Sequence, residues 1–198
     1  MAGPAVKHPH PHVPASPHAE QREHALRLQD ILKLMVADGL VNSAEATQLD
    51  RARTTRIAHP LELVADQKWK SLVAPHPMLT LETLVEWLAG KLGVRYMHID
   101  PLKIDLVAVT ATMSNAYAER YRILPVAISR DTLTVATAEP FVRAWADELA
   151  QILHTKVDLV FANPQDIRRY LGEFYTLARS MKKAQEHAPG EISLARNF

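Results

Sequence analysis

The stretch Tyr121–Pro140, YRILPVAISRDTLTVATAEP, decides how this chain is read. Ile123 to Ile128 and Thr132 to Thr137 are apolar, β-branched runs of strand length, and Leu133 and Val135 alternate with threonines. Arg130-Asp131 between them predicts a tight turn, hence a hairpin. Glu139-Pro140 predicts a helix start, because proline fits a first turn whose backbone donor would be unused anyway. The stretch carries no nucleophile, metal-ligand or phosphate-binding glycine pattern, so it reads as scaffold.

Working outward, residues from about Val94 to Tyr175 alternate strand and helix. Tyr96 to Ile99 predicts a short strand ending at Asp100-Pro101. Val109 to Tyr121 predicts one helix, with Val109, Met113, Ala116 and Tyr117 on its inner side. Phe141 to His154 predicts a second that buries Val142, Trp145, Leu149 and Ile152, and Val157 to Phe161 a further strand. Pro164 opens a last helix with Ile167, Tyr170, Leu171 and Phe174 in line. The order β-α-β-β-α-β-α places helices on one face of a small sheet.

Upstream, His24 to Leu92 has the helical period instead. Leu28, Ile31, Leu32, Met35 and Val36 recur at three and four residues, and Asp38-Gly39 supplies a left-handed stop. Asn42 and Glu45 have capping-box spacing ahead of Ala46, Leu49 and Ala52. Leu61 to Val73 is a short apolar stretch containing Trp69, broken by Pro75 and Pro77. Thr80 caps a helix whose stripe is Leu81, Leu84, Val85, Leu88 and Leu92, closed by Gly93. The fold class is therefore α+β, a helical subdomain over 24–92 followed by a small sheet module over 93–178.

The flanks differ in composition. Residues 1–23 hold Pro4, Pro9, Pro11, Pro14 and Pro17 with little to bury, which predicts a disordered His/Pro-rich tail. Residues 179–198, with Lys182-Lys183 and Pro189-Gly190, read as a linker toward something further along. A formal charge of +1 gives no overall bias toward nucleic acid or an acidic membrane. No apolar run approaches the ~18 residues that span a bilayer, and the N-terminus has no apolar signal core. Zero cysteines exclude disulfides, thiolate zinc sites and thiol catalysis. These features suit a cytoplasmic protein.

Candidate chemistry is sparse. The only Gly-Lys pair, Gly90-Lys91, is followed by Leu92 and preceded five residues earlier by Val85, so it is no P-loop. His8, His10, His12 and His18 could bind a metal, yet alternating His-Pro spacing does not fix a coordination geometry. His59, His76, His98 and His154 stand apart from one another, and His154 sits near a helix end. Asp100 and Asp105 flank a turn and read as caps before they read as paired catalytic carboxylates. Arg51, Arg53 and Arg56 form the densest basic cluster, spread over adjacent helix faces. With Trp69 the only nearby aromatic, stacking on single-stranded nucleic acid has little support.

Two blocks carry a resemblance to a known family. They are Asp100-Pro101-Leu102-Lys103-Ile104-Asp105 and the run from Ala118-Glu119-Arg120-Tyr121 through Ile123-Leu124-Pro125-Val126 to Leu133-Thr134-Val135-Ala136-Thr137-Ala138-Glu139-Pro140. With Ile167 to Tyr175 they resemble the N-terminal domain of the ATPases of type II secretion and type IV pilus assembly, the general secretion pathway protein E family. About eighty residues are covered, in matching order. His59 to Leu92 is similar to the segment before that module, and Leu194-Ala195-Arg196-Asn197-Phe198 looks like the start of the linker to the ATPase core.

The resemblance implies a non-catalytic docking and regulatory domain. Its partners would be the cytoplasmic domain of an inner-membrane platform protein and the ATPase core of a longer parent chain. The domain would then be cytoplasmic and peripheral to the inner membrane through that partner. ATP and Mg are expected only in the absent motor, so no cofactor, metal or catalytic residue is assigned here. Leu61, Trp69, Val73 and Met78 are the expected partner-binding residues, with Trp69 alternatively a core residue. Some relatives bind cyclic di-GMP through Arg-Leu-Gly-x-x-Leu-Val-x-x-Gly. Aligned on Gly39, this chain has Asp30 at the arginine and Leu32 at the first glycine, while Ile31, Met35 and Val36 keep the apolar frame. A carboxylate there would repel a dianion and leucine would block backbone approach.

Overall fold

The computed structural model describes residues 23–52 and 58–186. Eight α-helices, one 3-10 turn (Pro101–Lys103) and three strands follow in order among them. Helices α1 (Leu28–Ala37), α2 (Ser43–Arg51), α3 (Pro60–Ala65) and α4 (Leu81–Leu92) make the helical half. Then come α5 (Leu106–Thr110), α6 (Asn115–Tyr121), β1 (Ile123–Ile128), β2 (Thr132–Thr137), α7 (Ala144–Leu153), β3 (Lys156–Phe161) and α8 (Pro164–Glu186). The architecture is α+β.

Local chemistry sets the helix ends. Gly39 (φ 68°) and Gly93 (φ 64°) take the left-handed conformation that ends α1 and α4. In each case the next amide reaches back, Leu40 N–H to Met35 O (2.9 Å) and Val94 N–H to Ala89 O (3.0 Å). Asn42 and Glu45 close the expected capping box on α2, and the Thr80 hydroxyl accepts the Thr83 N–H on α4.

β1 and β2 are antiparallel, and β2 and β3 are parallel. Val126 is the extra residue of a bulge between Pro125 and Ala127, and Pro125 sits on β1, an edge strand of the order β1-β2-β3. One buried cluster lies beneath this sheet, built from Leu124, Leu133, Val135, Trp145, Leu149, Ile167 and Phe174 among others. A second lies among the first four helices, around Ile31, Met35, Leu61, Val64, Leu84 and Leu88. Phe161, the last residue of β3, is fully buried in the helical cluster, so the sheet end plugs into the neighbouring core.

Several expectations change in three dimensions. The strand expected over Tyr96 to Ile99 shrinks to a single parallel bridge between Tyr96 and Phe161. Arg95 O and Met97 N–H bond to Phe161, after which the chain leaves to bury Ile99. The helix expected over Val109 to Tyr121 is two helices. Ser114 caps the second by accepting the Tyr117 N–H, and the Thr112 hydroxyl donates to Val109 O, which ends the first. Ala118 is therefore buried and Ala116 exposed. α7 starts at Ala144 because Val142 N–H closes a turn on Glu139 O, and Ile152 ends up exposed. α2 buries Ala46, leaves Leu49 half-buried and Ala52 exposed. α8 stays helical to Glu186, so residues 179–186 of the expected linker continue the helix. The His/Pro tail to residue 22, Arg53, Arg56 and Leu194 to Phe198 lie outside the described residues.

Candidate docking surface and the seam between the cores

Between α3 and α4 the chain forms a short, tied-down projection. Lys70 and Met78 make an antiparallel bridge, flanked by Ser71 N–H to Pro77 O (2.8 Å) and Leu79 N–H to Trp69 O (2.8 Å). Inside it, His76 Nδ1 contacts Ser71 O (3.0 Å), and the Ser71 hydroxyl oxygen accepts the Val73 N–H (3.1 Å). Leu72 N–H donates to Leu40 O (2.9 Å), which anchors the loop to the end of α1. Ser71 is buried and serves as the internal post of this network. The loop thus holds one shape without regular secondary structure.

Three of its exposed side chains are large and apolar. Leu72, Val73 and Met78 are 53%, 49% and 43% exposed. Trp69 is half-buried against the helical cluster, and Leu79 is buried beneath it. Of the four residues expected to meet a partner, Leu61 corrects the sequence reading. It points inward from α3 with no exposure, because Pro60 starts that helix and turns Leu61 and Val64 toward Leu84 and Leu88. Leu72 lies inside the stretch Leu61 to Met78 that the sequence offers for docking, but the sequence does not single it out as a contact residue.

A second cluster of polar groups joins the two cores. His59 caps α3, its Nδ1 accepting the Leu61 N–H (3.3 Å), while Nε2 faces Ala138 O at 3.2 Å. Nε2 therefore carries the proton and donates to Ala138 O. Burial drives the His59 pKa down to about 4, so its 3.6 Å approach to Glu139 is not an ion pair at neutral pH. Glu139 is pushed above its ordinary range by burial, although it accepts the Leu26 N–H at 2.7 Å. Glu62, 1% exposed, accepts two hydrogen bonds from Arg168 on α8 (3.1 and 3.3 Å). The carboxylate of Glu23 accepts the Arg143 and Ala144 amides ahead of α7, and the His24 ring stacks on Phe141 at 4.7 Å. His59, Glu139, Arg122 and Arg168 edge a cavity of about 470 Å³ floored by Ile167 and Leu171.

A third constellation, Glu82, His98 and Asp166, brings ligand-type atoms within 4.8 Å of one another. Its carboxylates already serve protein donors. Glu82 accepts from the Tyr96 hydroxyl, contacts His98 Nδ1 at 3.1 Å and accepts Asn163 Nδ2 at 3.0 Å. Asp166 meets Arg169 at 3.0 Å. Burial raises the Glu82 pKa, but the hydrogen bonds outweigh it and hold the carboxyl below its usual value. The remaining candidates are structural. Asp100 and Asp105 accept the Leu102 and Ala108 amides as caps, and Lys91 pairs with Asp38 at 2.6 Å.

The MshEN domain family matches residues 92–181, from the last residue of α4 to the distal part of α8. This part of the chain resembles an MshEN domain. The chain is also 33% identical over 128 residues to the type IV pilus assembly ATPase TfpB of Acinetobacter baylyi. That alignment takes in 64% of this chain and 22% of the relative, so the chain spans a minor part of that protein's length. A solved structure of MshE with cdg has the same fold, at 20% identity and a TM-score of 0.52 over 76% of this chain and 99% of that one. The N-terminal domain of XpsE aligns at 18% identity over 77% and 96% of the two chains, with a TM-score of 0.47. The hairpin and the segment Ile167 to Tyr175 of the closing helix, on which the sequence reading rested, lie inside the matched residues, whereas the apolar loop lies before them. No described helix is long and apolar enough to cross a membrane.

Proposed function

We propose that this chain is the docking and regulatory region of a type II secretion or type IV pilus ATPase. It binds the cytoplasmic domain of the inner-membrane platform protein, does no chemistry itself, and passes movement to an ATPase core elsewhere in the parent protein. On this reading ATP and Mg belong to that core. The chain works at the cytoplasmic side of the inner membrane, held there by its partner. The observation that carries the reading is the hydrogen-bonded loop that precedes the MshEN-matched residues, where Leu72, Val73 and Met78 are exposed and Trp69 is half-buried. A pre-shaped apolar projection loses little entropy on binding and suits a protein interface. The test is a pull-down with the platform's cytoplasmic domain, comparing the parent chain with Trp69→Ala. Unchanged affinity in a folded variant removes this patch from the interface.

A second reading, a cyclic di-GMP sensor, is favoured by one feature, the cavity between the halves with Arg122 and Arg168 at its edge. It is opposed by α1, where Asp30 is exposed beside Lys33 and Leu32 is buried. Calorimetry with cyclic di-GMP separates the two, because micromolar binding would put the sensor reading first.

A further inference from the structure

The docking loop has a charge as well as a shape. From Gln67 to Leu81 the chain carries Lys68, Lys70 and His76 and no carboxylate. Lys68 and Lys70 are exposed, and neither makes an ion pair within the described residues. Lys70 faces Met78 across the bridge, so an ammonium with no ion pair among the described residues and an exposed thioether lie on neighbouring positions. Lys68 holds φ at 54°, an uncommon conformation for a residue with a side chain, at the turn that leads from α3 into the loop. The next carboxylate along the chain, Glu82, is already taken up by Tyr96, His98 and Asn163. Asp66, the exposed C-cap of α3, stands two residues before Lys68, and among the described residues neither lysine is ion-paired with it or with any other carboxylate.

We infer that the loop's partner is an acidic surface with an apolar centre. Apolar side chains of the partner cover Leu72, Val73 and Met78, and its carboxylates pair with Lys68 and Lys70 at the rim. The inference rests on the docking reading and adds to it the chemistry of the platform surface that is bound. The two layers act differently. The apolar centre sets how long the complex lasts, while rim charges set how fast it forms and how strongly salt weakens it. Lysines suit the second task, since their hydrated point charges act over about 8–10 Å at moderate salt without fixed geometry.

The test measures binding of the full chain to the platform's cytoplasmic domain at about 50 and about 500 mM salt. Three proteins are compared: the parent, the charge-reversed pair Lys68→Glu with Lys70→Glu, and the apolar pair Val73→Asp with Met78→Asp. All four positions are exposed, and matching thermal melts confirm folding. The charge-reversed protein should bind about tenfold more weakly at low salt, chiefly through slower association, and approach the parent at high salt. The apolar pair should lose binding at both salt levels. If charge reversal leaves binding intact while the apolar pair loses it, docking stands and the acidic-partner inference falls. If both variants bind like the parent, the loop is not the interface. A parent that does not bind at all removes both readings.

Discussion

Glu62 and Arg168 are 106 residues apart in the chain and meet through two hydrogen bonds of 3.1 and 3.3 Å. The carboxylate is buried on α3 of the helical half, and the guanidinium reaches it from α8, within the MshEN-matched residues, with much of its own surface in water. The pair fixes how the last long helix lies against the helices that carry the docking loop. Arginine suits the task, because its planar fork presents two donors to one carboxylate.

Arg168→Ala should lower stability by about 1–3 kcal/mol, because a buried carboxylate loses two charge-assisted bonds. Lysine in its place should recover only part, as a single ammonium cannot reproduce the fork. Urea unfolding midpoints of the three proteins check both statements.

His59 makes stability sensitive to acid. Its folded-state pKa, about 4, lies below the value of roughly 6.5 expected when unfolded, so the unfolded chain takes up the proton first. Its contribution is fully present above about pH 6.5 and is lost as pH falls toward 4, by up to about 3 kcal/mol. Glu139, raised by burial, works in the opposite direction over the acid range, while Glu62, Arg122 and Arg168 are the other charges facing the imidazole. His59→Asn should flatten the decline between pH 6.5 and 4 in a series of denaturation curves.

Leu61 and Val73 were both expected to meet a partner, and their mutational costs should separate them. Leu61→Ala should cost about 2–5 kcal/mol through the cavity it leaves. Val73→Ala, at a half-exposed position, should stay within about 0.5 kcal/mol. Thermal melts of the two variants decide the point.

Ser114→Ala should weaken the break between α5 and α6. Its hydroxyl oxygen accepts the Tyr117 N–H and makes no other side-chain hydrogen bond among the described residues, so the loss should be about 1 kcal/mol. Amide exchange at Tyr117, whose N–H the serine holds, should quicken with it.

Much of the fold was legible in the residues. The hairpin, the capping box at Asn42 and Glu45 and the left-handed stops at Gly39 and Gly93 are short-range features. Each depends on neighbours within about five residues, so the chain states them locally. The candidate site was legible only in part. Val73 and Met78 stand outside and Trp69 lies half inside, but Leu61 and Leu72 have equal hydropathy and opposite fates. Periodicity over six residues of α3 is too short to say which side faces a neighbour that begins at Leu81.

The amino-acid order alone settled the hairpin, the third strand and the longer helices α1, α4, α7 and α8, several of their stops, and that no cysteine chemistry is possible. Only the folded chain decided that Tyr96 contributes one bridge in place of a strand, that Phe161 belongs to the other core, and that His59 is held neutral. It also decided that Leu72, Val73 and Met78 are all exposed, on a loop whose two lysines make no ion pair among the described residues. Local hydrogen bonding and side-chain period are written in adjacent residues, whereas burial and charge environment depend on segments distant in the chain, and these meet only when the chain folds.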